Sequence, residues 1–341
     1  MKKYFLMSII IPFLFSKNLF SQTNSSLKNS YKEAEYFIST LNEVQLKKLT
    51  FKLEDEERVN WHYIPKSRNG IPLKELNEVQ KKAAIELLKT SLSEQGAQKA
   101  LSIMQLEIVL KEIENRKADD DHRDPQKYYF SIFGQPDLKK NWGWRIEGHH
   151  VALNYSSSNG KIISATPTFM GSNPGIVLEG KDKGKQVLKT ETELGFLLVN
   201  SLSEDQKKVA IFSTTAPVEI ISGNSRKIDF KNEEGIKFKE LNKEQQKVFL
   251  QLLSTYVKNY PLDFADDLMK KIEKADLNEL HFAWAGSLKP GVPNYYRIQS
   301  SAIIIEYDNT QNNANHVHTV VREPGNDFGD DILKKHYQKE H

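Results

Sequence analysis

Two histidine pairs carry the most chemistry in this chain of 341 residues: His149-His150, within Glu-Gly-His-His, and His316 with His318, within Asn-His-Val-His. Side chains at i and i+2 of a strand point to one face, so His316 and His318 can approach one ion while Val317 packs the other way. The same rule puts Glu147 and His149 on one face and His150 opposite, unless Gly148 makes a bulge. Imidazoles from His149, His316 and His318 beside the Glu147 carboxylate suit a divalent metal ion: zinc, copper, iron or manganese. His150, Asn315 and Asp308 are further candidates, the last two, with Glu306, as groups that orient the rings from behind. In a hydrolytic mechanism the ion acidifies a bound water near neutral pH. Glu147 then ligates or acts as general base, and Arg145 or Arg297 steadies an anionic substrate. Copper or iron in the same ligands would instead support redox chemistry. Two other readings stay open: a polar cluster around a non-metal ligand, and histidines that serve only the fold.

Other chemistries are excluded more firmly. The chain has no cysteine, hence no disulfide, thiolate site or cysteine nucleophile. It contains neither G-x-G-x-x-G nor G-x-x-x-x-G-K-[ST], and neither a G-x-S-x-G elbow nor H-E-x-x-H. Lysines such as Lys81 and Lys82 alternate with glutamates as on a solvated face, which argues against nucleic acid. Trp142, Trp144, Trp284, Tyr295 and Tyr296 read first as core residues and second as the lining of a glycan or aromatic pocket. Asp119 to Asp124 reads as a solvated loop before a cation site.

The elements that must position the histidines are written twice. GIPLKELNEVQKKAAIELL from Gly70 matches GIKFKELNKEQQKVFLQLL from Gly235. Asn77 with Gln80 and Asn242 with Gln245 are helix starts of the capping-box kind. LNEVQ from Leu41 and LSEDQ from Leu202 are another such pair. Behind the caps, Ala84, Leu87, Leu88 and Leu92 share a helical face, as do Phe249, Leu252, Leu253 and Val257. Downstream, YYFSIFG from Tyr128 matches LHFAWAG from Leu280, and WRIEGHHVALNY from Trp144 matches YRIQSSAIIIEY from Tyr296. These runs are rich in β-branched and aromatic residues and read as strands. Val151 to Tyr155 and Lys161 to Thr166 form a hairpin turning at Asn159-Gly160. Ile303 to Tyr307 and His316 to Val321 are the later pair. The expected fold is α+β: two pseudo-symmetric repeats, residues 22–180 and 181–341, each helices followed by antiparallel strands, packed as one unit.

The copies differ where chemistry would be. Glu147, His149 and His150 correspond to Gln299, Ser301 and Ala302 in the second copy, whereas His316 and His318 correspond to Ser164 and Thr166 in the first. One composite site between the halves follows.

Residues 1–21 carry Lys2 and Lys3 before an apolar stretch, with Ser21 at a plausible cleavage point, the pattern of a signal peptide. The expected location is periplasmic or secreted, with no stable membrane anchor after cleavage. Of 48 basic residues three lie in this segment and no acid does, so the processed chain has 45 basic against 45 acidic residues. The +3 belongs to the leader. The functional expectation is a metal-dependent enzyme, foremost a hydrolase, acting on a small-molecule substrate; the alternative is a non-catalytic small-molecule or glycan-binding module.

EGHHVALN from Glu147, TPTFMGSNPG from Thr166, the long run from Asn294 to Glu323 and NDFGDDILKKHY from Asn326 resemble one bacterial family, domain-of-unknown-function family 3500. The likeness runs from the first helices to the C-terminus. The chain departs at Asn294, where a His is expected, and at Val321, where a Trp is expected. The resemblance implies export and no particular reaction.

Overall fold

The computed structural model describes residues 26–228, 230 and 234–330; the expected export signal lies outside them. Eight helices occur among the described residues: α1 (Ser26–Ser39), α2 (Glu43–Leu49), α3 (Glu78–Thr90), α4 (Glu94–Ile113), α5 (Lys189–Ser201), α6 (Glu204–Ala210), α7 (Lys243–Val257) and α8 (Leu262–Lys274). Four begin with reciprocal capping boxes, at Asn42 and Gln45, Asn77 and Gln80, Ser203 and Gln206, and Asn242 and Gln245. The cap glutamines also tie helix starts together. Gln80 Nε2 donates to the Thr40 carbonyl at 2.8 Å and to Gln45, and Gln245 Nε2 donates to the Ser201 carbonyl at 2.8 Å and to Gln206.

Among the described residues thirteen strands form one sheet: β1 (Thr50–Phe51), β2 (Ile71–Pro72), β3 (Tyr129–Phe133), β4 (Trp142–Gly148), β5 (Val151–Ser158), β6 (Lys161–Ser164), β7 (Thr168–Ser172), β8 (Ile211–Ser213), β9 (Ile236–Lys237), β10 (His281–Gly286), β11 (Asn294–Gln299), β12 (Ile304–Asn309) and β13 (Val317–Arg322). The order is β1-β3-β4-β5-β7-β13-β12-β11-β10-β8, with β2 on β3, β6 on β5 and β9 on β10. The α+β class holds, but the sheet is not wholly antiparallel. β1 pairs parallel with β3 and β8 with β10, because each short edge strand returns to its neighbour through a long crossover containing helices. The hairpin at Asn159-Gly160 forms as expected, with both residues at positive φ.

Alternation along the strands separates two faces. Trp144, Ile146, Leu153, Tyr155, Tyr296, Ile298, Ile305 and Tyr307 pack in the main core with Leu87, Leu88, Phe249, Leu252 and Leu253 of the helices. Full burial of each such aliphatic or aromatic side chain contributes about 1.5–3 kcal/mol. On the opposite face Trp61, Tyr63, Ala152, Phe169, Ile220, Val320 and Phe328 form a second cluster. It is covered by two long connections, residues 52–70 and 214–228, rather than by helices. All five aromatics that might have lined a glycan groove, Trp142, Trp144, Trp284, Tyr295 and Tyr296, are buried. They are core.

Candidate metal centre

The run Trp144–Tyr155, expected to continue as a strand, is broken by a tight turn. β4 ends at Gly148, β5 begins at Val151, and Gly148 pairs with Val151. His149 and His150 are the two residues of the turn, with His150 at φ 63°. The turn is held from both sides. His150 N–H donates to the Tyr63 carbonyl at 2.9 Å, and Gly171 N–H donates to the His150 carbonyl at 2.8 Å. His150 is thereby aimed at β13, where His318 stands opposite Gly171 on one side and Asp308 on the other.

Three rings meet there. His150 Nε2 lies 2.8 Å from His316 Nε2 and 3.3 Å from His318 Nε2. Ligand atoms of His150, His316 and His318 all lie within 4.8 Å of one another, and all three residues are buried. Two nitrogens bound tetrahedrally at about 2.0–2.1 Å from zinc sit roughly 3.3 Å apart. The His150–His318 pair already has that spacing, and the His150–His316 pair needs to open by roughly 0.5 Å. Gly171 makes the room, since a Cβ there would lie 3.0 Å from His150 Cδ2.

Carboxylates stand behind the rings. His318 Nδ1 lies 2.7 Å from Glu219 Oε1 and 3.4 Å from Asp308 Oδ2. Burial opposes a charge on His318, but its hydrogen bonds to Asp308 and Glu219 outweigh that and push it up to about 9. Burial and the neighbouring His318 push His316 down to about 3. Burial, reinforced by His149 and His318, holds His150 well below the usual range. Burial raises Asp308 to about 7 against the pull of His318. At neutral pH His150 and His316 are thus uncharged, each ring with one nitrogen able to offer a lone pair.

The geometry regroups the residues singled out in the sequence. It brings together His316, His318, Asp308 and His150. His149 stacks on His150, ring centroids 3.8 Å apart, but its Nδ1 lies against Glu107 of α4, with Arg123 Nη1 3.2 Å away. It borders the cluster and helps line a cavity of about 220 Å³ with Lys66, Ser67, Arg68, Glu107 and Tyr128. Glu147 and Arg145 lie elsewhere. The Glu147 carboxylate accepts the His62 amide at 3.0 Å and contacts Arg145 Nε at 2.8 Å and Arg68 Nε at 3.4 Å. Arg145 also pairs with Glu57, whose carbonyl it binds as well. These five residues pin the 52–70 connection to the sheet. Arg297 lies over the Phe230 ring, 4.3 Å from its centroid, and 3.3 Å from Glu234. Asn315 binds the backbone of Ile176 through both side-chain atoms and does not orient an imidazole. Asn294 is buried at the start of β11 with both side-chain polar atoms unpartnered, and Val321 faces the helices.

Glu219 and Glu107 were not foreseen. Glu219 sits in a loop with no periodic pattern. It is presented by Glu306, which accepts from Ile221 N at 2.6 Å, Ser222 N at 3.1 Å and Tyr295 Oη at 2.8 Å. Glu107 lies on the interior of α4, where a charged residue among Leu106, Val109 and Leu110 was the available signal.

No curated protein and no solved structure matches the chain. A family model described as "Protein of unknown function (DUF3500)" matches residues 23–330, and the chain belongs to that family.

Proposed function

We propose that this is an exported metalloprotein in which His150, His316 and His318 hold a divalent first-row ion, zinc foremost, and that the ion activates water for hydrolysis of a small molecule. The convergence of three buried imidazoles, two of them held neutral, is the observation that carries this reading. Three histidines leave a fourth position for water, and an ion so placed lowers the water's pKa to about 7. Glu219 and Asp308 hold the Nδ1–H of His318, so an ion would displace only the Nε2 proton that the raised affinity keeps there at neutral pH, leaving the usual arrangement behind a metal-bound imidazole. A cavity of about 220 Å³ is lined by His149, the neighbour of His150, though by none of the three ligands themselves.

The test is metal analysis of tag-free protein. Near-stoichiometric zinc, copper, iron or manganese is expected, and its loss in the His316→Ala, His318→Ala double variant. Absence of bound metal, with a melting temperature unmoved by added zinc or copper, refutes the proposal.

Burial supports a second reading, a closed centre that binds metal without catalysis: His150, His316 and His318 are only 4%, 8% and 3% exposed. Cobalt-substituted protein separates the two. A visible spectrum that shifts with azide marks an open coordination position, and one that ignores azide marks a closed centre.

Two further parts of the proposal rest on the sequence. Export predicts a mature chain beginning at Gln22, which mass spectrometry of secreted or periplasmic protein checks. Duplication is supported by the matched capping boxes and by parallel edge strands at both ends of the sheet. Failure of the two halves to superpose strand for strand would remove it.

A further inference from the structure

His318 has two ring nitrogens, and only Nε2 faces His150 and His316. Nδ1 faces Glu219 and Asp308, and ligand atoms of this second trio also lie within 4.8 Å of one another. A single N–H serves two carboxylates there. Glu219 takes it at 2.7 Å, and its oxygens also accept from Ile220 N at 2.9 Å and Gln311 Nε2 at 3.3 Å. Asp308 is fully buried, and its Oδ2, 3.4 Å from the same nitrogen, finds no hydrogen-bond partner. A buried carboxylate oxygen without a donor is costly, and a cation is one way to satisfy it.

The geometry points to a second divalent cation site, formed by Glu219, Asp308 and His318 Nδ1, so that a deprotonated His318 bridges two metal ions. This rests on the three-histidine centre proposed above. On binding the second ion, the Nδ1–H bond breaks, its proton and any proton on the Asp308 carboxyl go to solvent, and Nδ1 donates its electron pair to the metal; nothing is oxidised or reduced. Two carboxylates and the imidazolate bring three negative charges against four positive. A hydroxide on the first ion neutralises the remainder, which ties the second ion to the proposed hydrolysis. Thr310 Oγ1, 3.4 Å from Asp308 Oδ1, leaves Oδ2 free for the ion. Glu219 is the most exposed of the trio, its side chain 31% accessible, and gives the ion a way in.

The experiment loads the tag-free chain with copper(II), removes excess by gel filtration, and measures copper per chain together with the electron paramagnetic resonance intensity. Two coppers per chain are expected, with intensity far below that of two isolated ions, because an imidazolate bridge couples their spins. The Asp308→Asn variant and the Glu219→Gln, Asp308→Asn double variant are expected to hold one copper at the full intensity of one ion. Circular dichroism checks their folding, and zinc per chain by mass spectrometry repeats the count without spin. One copper per chain in wild type and variants alike overturns the second site, leaves the three-histidine centre standing and assigns the space to a proton shared by the carboxylates. Two coppers at full, uncoupled intensity overturn the bridge. No copper in any form removes the three-histidine centre, and the bridge with it.

Discussion

Gly171→Ala tests whether His150, rather than His149, completes the proposed metal centre. Gly171 lies on β7 directly opposite His318, and its φ is one any residue adopts. An added Cβ would sit 3.0 Å from His150 Cδ2, 3.1 Å from His150 Cγ and 3.0 Å from the Val317 carbonyl oxygen. Favourable carbon contacts lie at about 3.5–4.0 Å, so roughly 0.5 Å of movement is required. Relieving these contacts requires both a shift of the imidazole and a slight parting of β7 from β13, so His150 moves relative to His318. Metal–ligand distances tolerate only about ±0.2 Å. The expected result is at least a tenfold loss of zinc affinity, about 1.4 kcal/mol. Overpacking should also lower metal-free stability by about 1–3 kcal/mol. Gly195→Ala is the control: its Cβ would meet Tyr296 Cε1 at 2.5 Å in the helical core, away from the cluster. It should destabilise the fold and leave zinc affinity unchanged. Zinc is titrated in competition with a chromophoric chelator, and stability is read from chemical denaturation of the metal-free proteins. Wild-type zinc affinity in Gly171→Ala, or an equal loss in Gly195→Ala, would refute the reasoning.

Other expectations follow from the same geometry. Glu306→Gln puts an amide donor against the Ile221 and Ser222 N–H groups, loosening the loop that presents Glu219; a loss of about 2–4 kcal/mol in denaturant unfolding is expected, with weaker metal binding. Gln80→Ala removes bonds to Asn77, Thr40 and Gln45 and should cost about 2–4 kcal/mol, while Val79→Ala, on the exposed side of α3, stays within about 0.5 kcal/mol. Zinc at a hundredfold excess over its dissociation constant should add about 2.7 kcal/mol to stability, and a chelator should remove it. Burial holds Tyr128, Tyr155, Tyr256, Tyr295 and Tyr296 well above the ordinary phenol value. Their contribution is intact below about pH 10 and declines as pH rises further, because the unfolded chain ionises first. Tyrosinate absorbance beyond that of the exposed phenols should appear together with unfolding; its appearance near pH 10 in still-folded protein would contradict this.

Local rules made much of the frame legible. Capping pairs such as Asn77 with Gln80 announce helix starts because both partners lie within one turn. Asn159-Gly160 announces a hairpin because few residues adopt positive φ easily. His316 and His318 were readable as a pair because strand periodicity requires nothing distant. The choice between His149 and His150 was not. It depends on parity, and parity is lost where a strand is cut. Gly148 in the middle of a twelve-residue run was the one local hint of a cut. The turn itself is fixed by the Tyr63 carbonyl and the Gly171 amide, which lie 87 residues before and 21 residues after His150. Likewise, types and spacing made Glu147 and Arg145 look catalytic, but the 52–70 connection folds over them and converts both into anchors. Sequence determined which residues carry ligand chemistry and which elements hold them. Tertiary structure alone decided which nitrogens face one another, because only the pairing of β7 with β13 brings the β4–β5 turn beside His318.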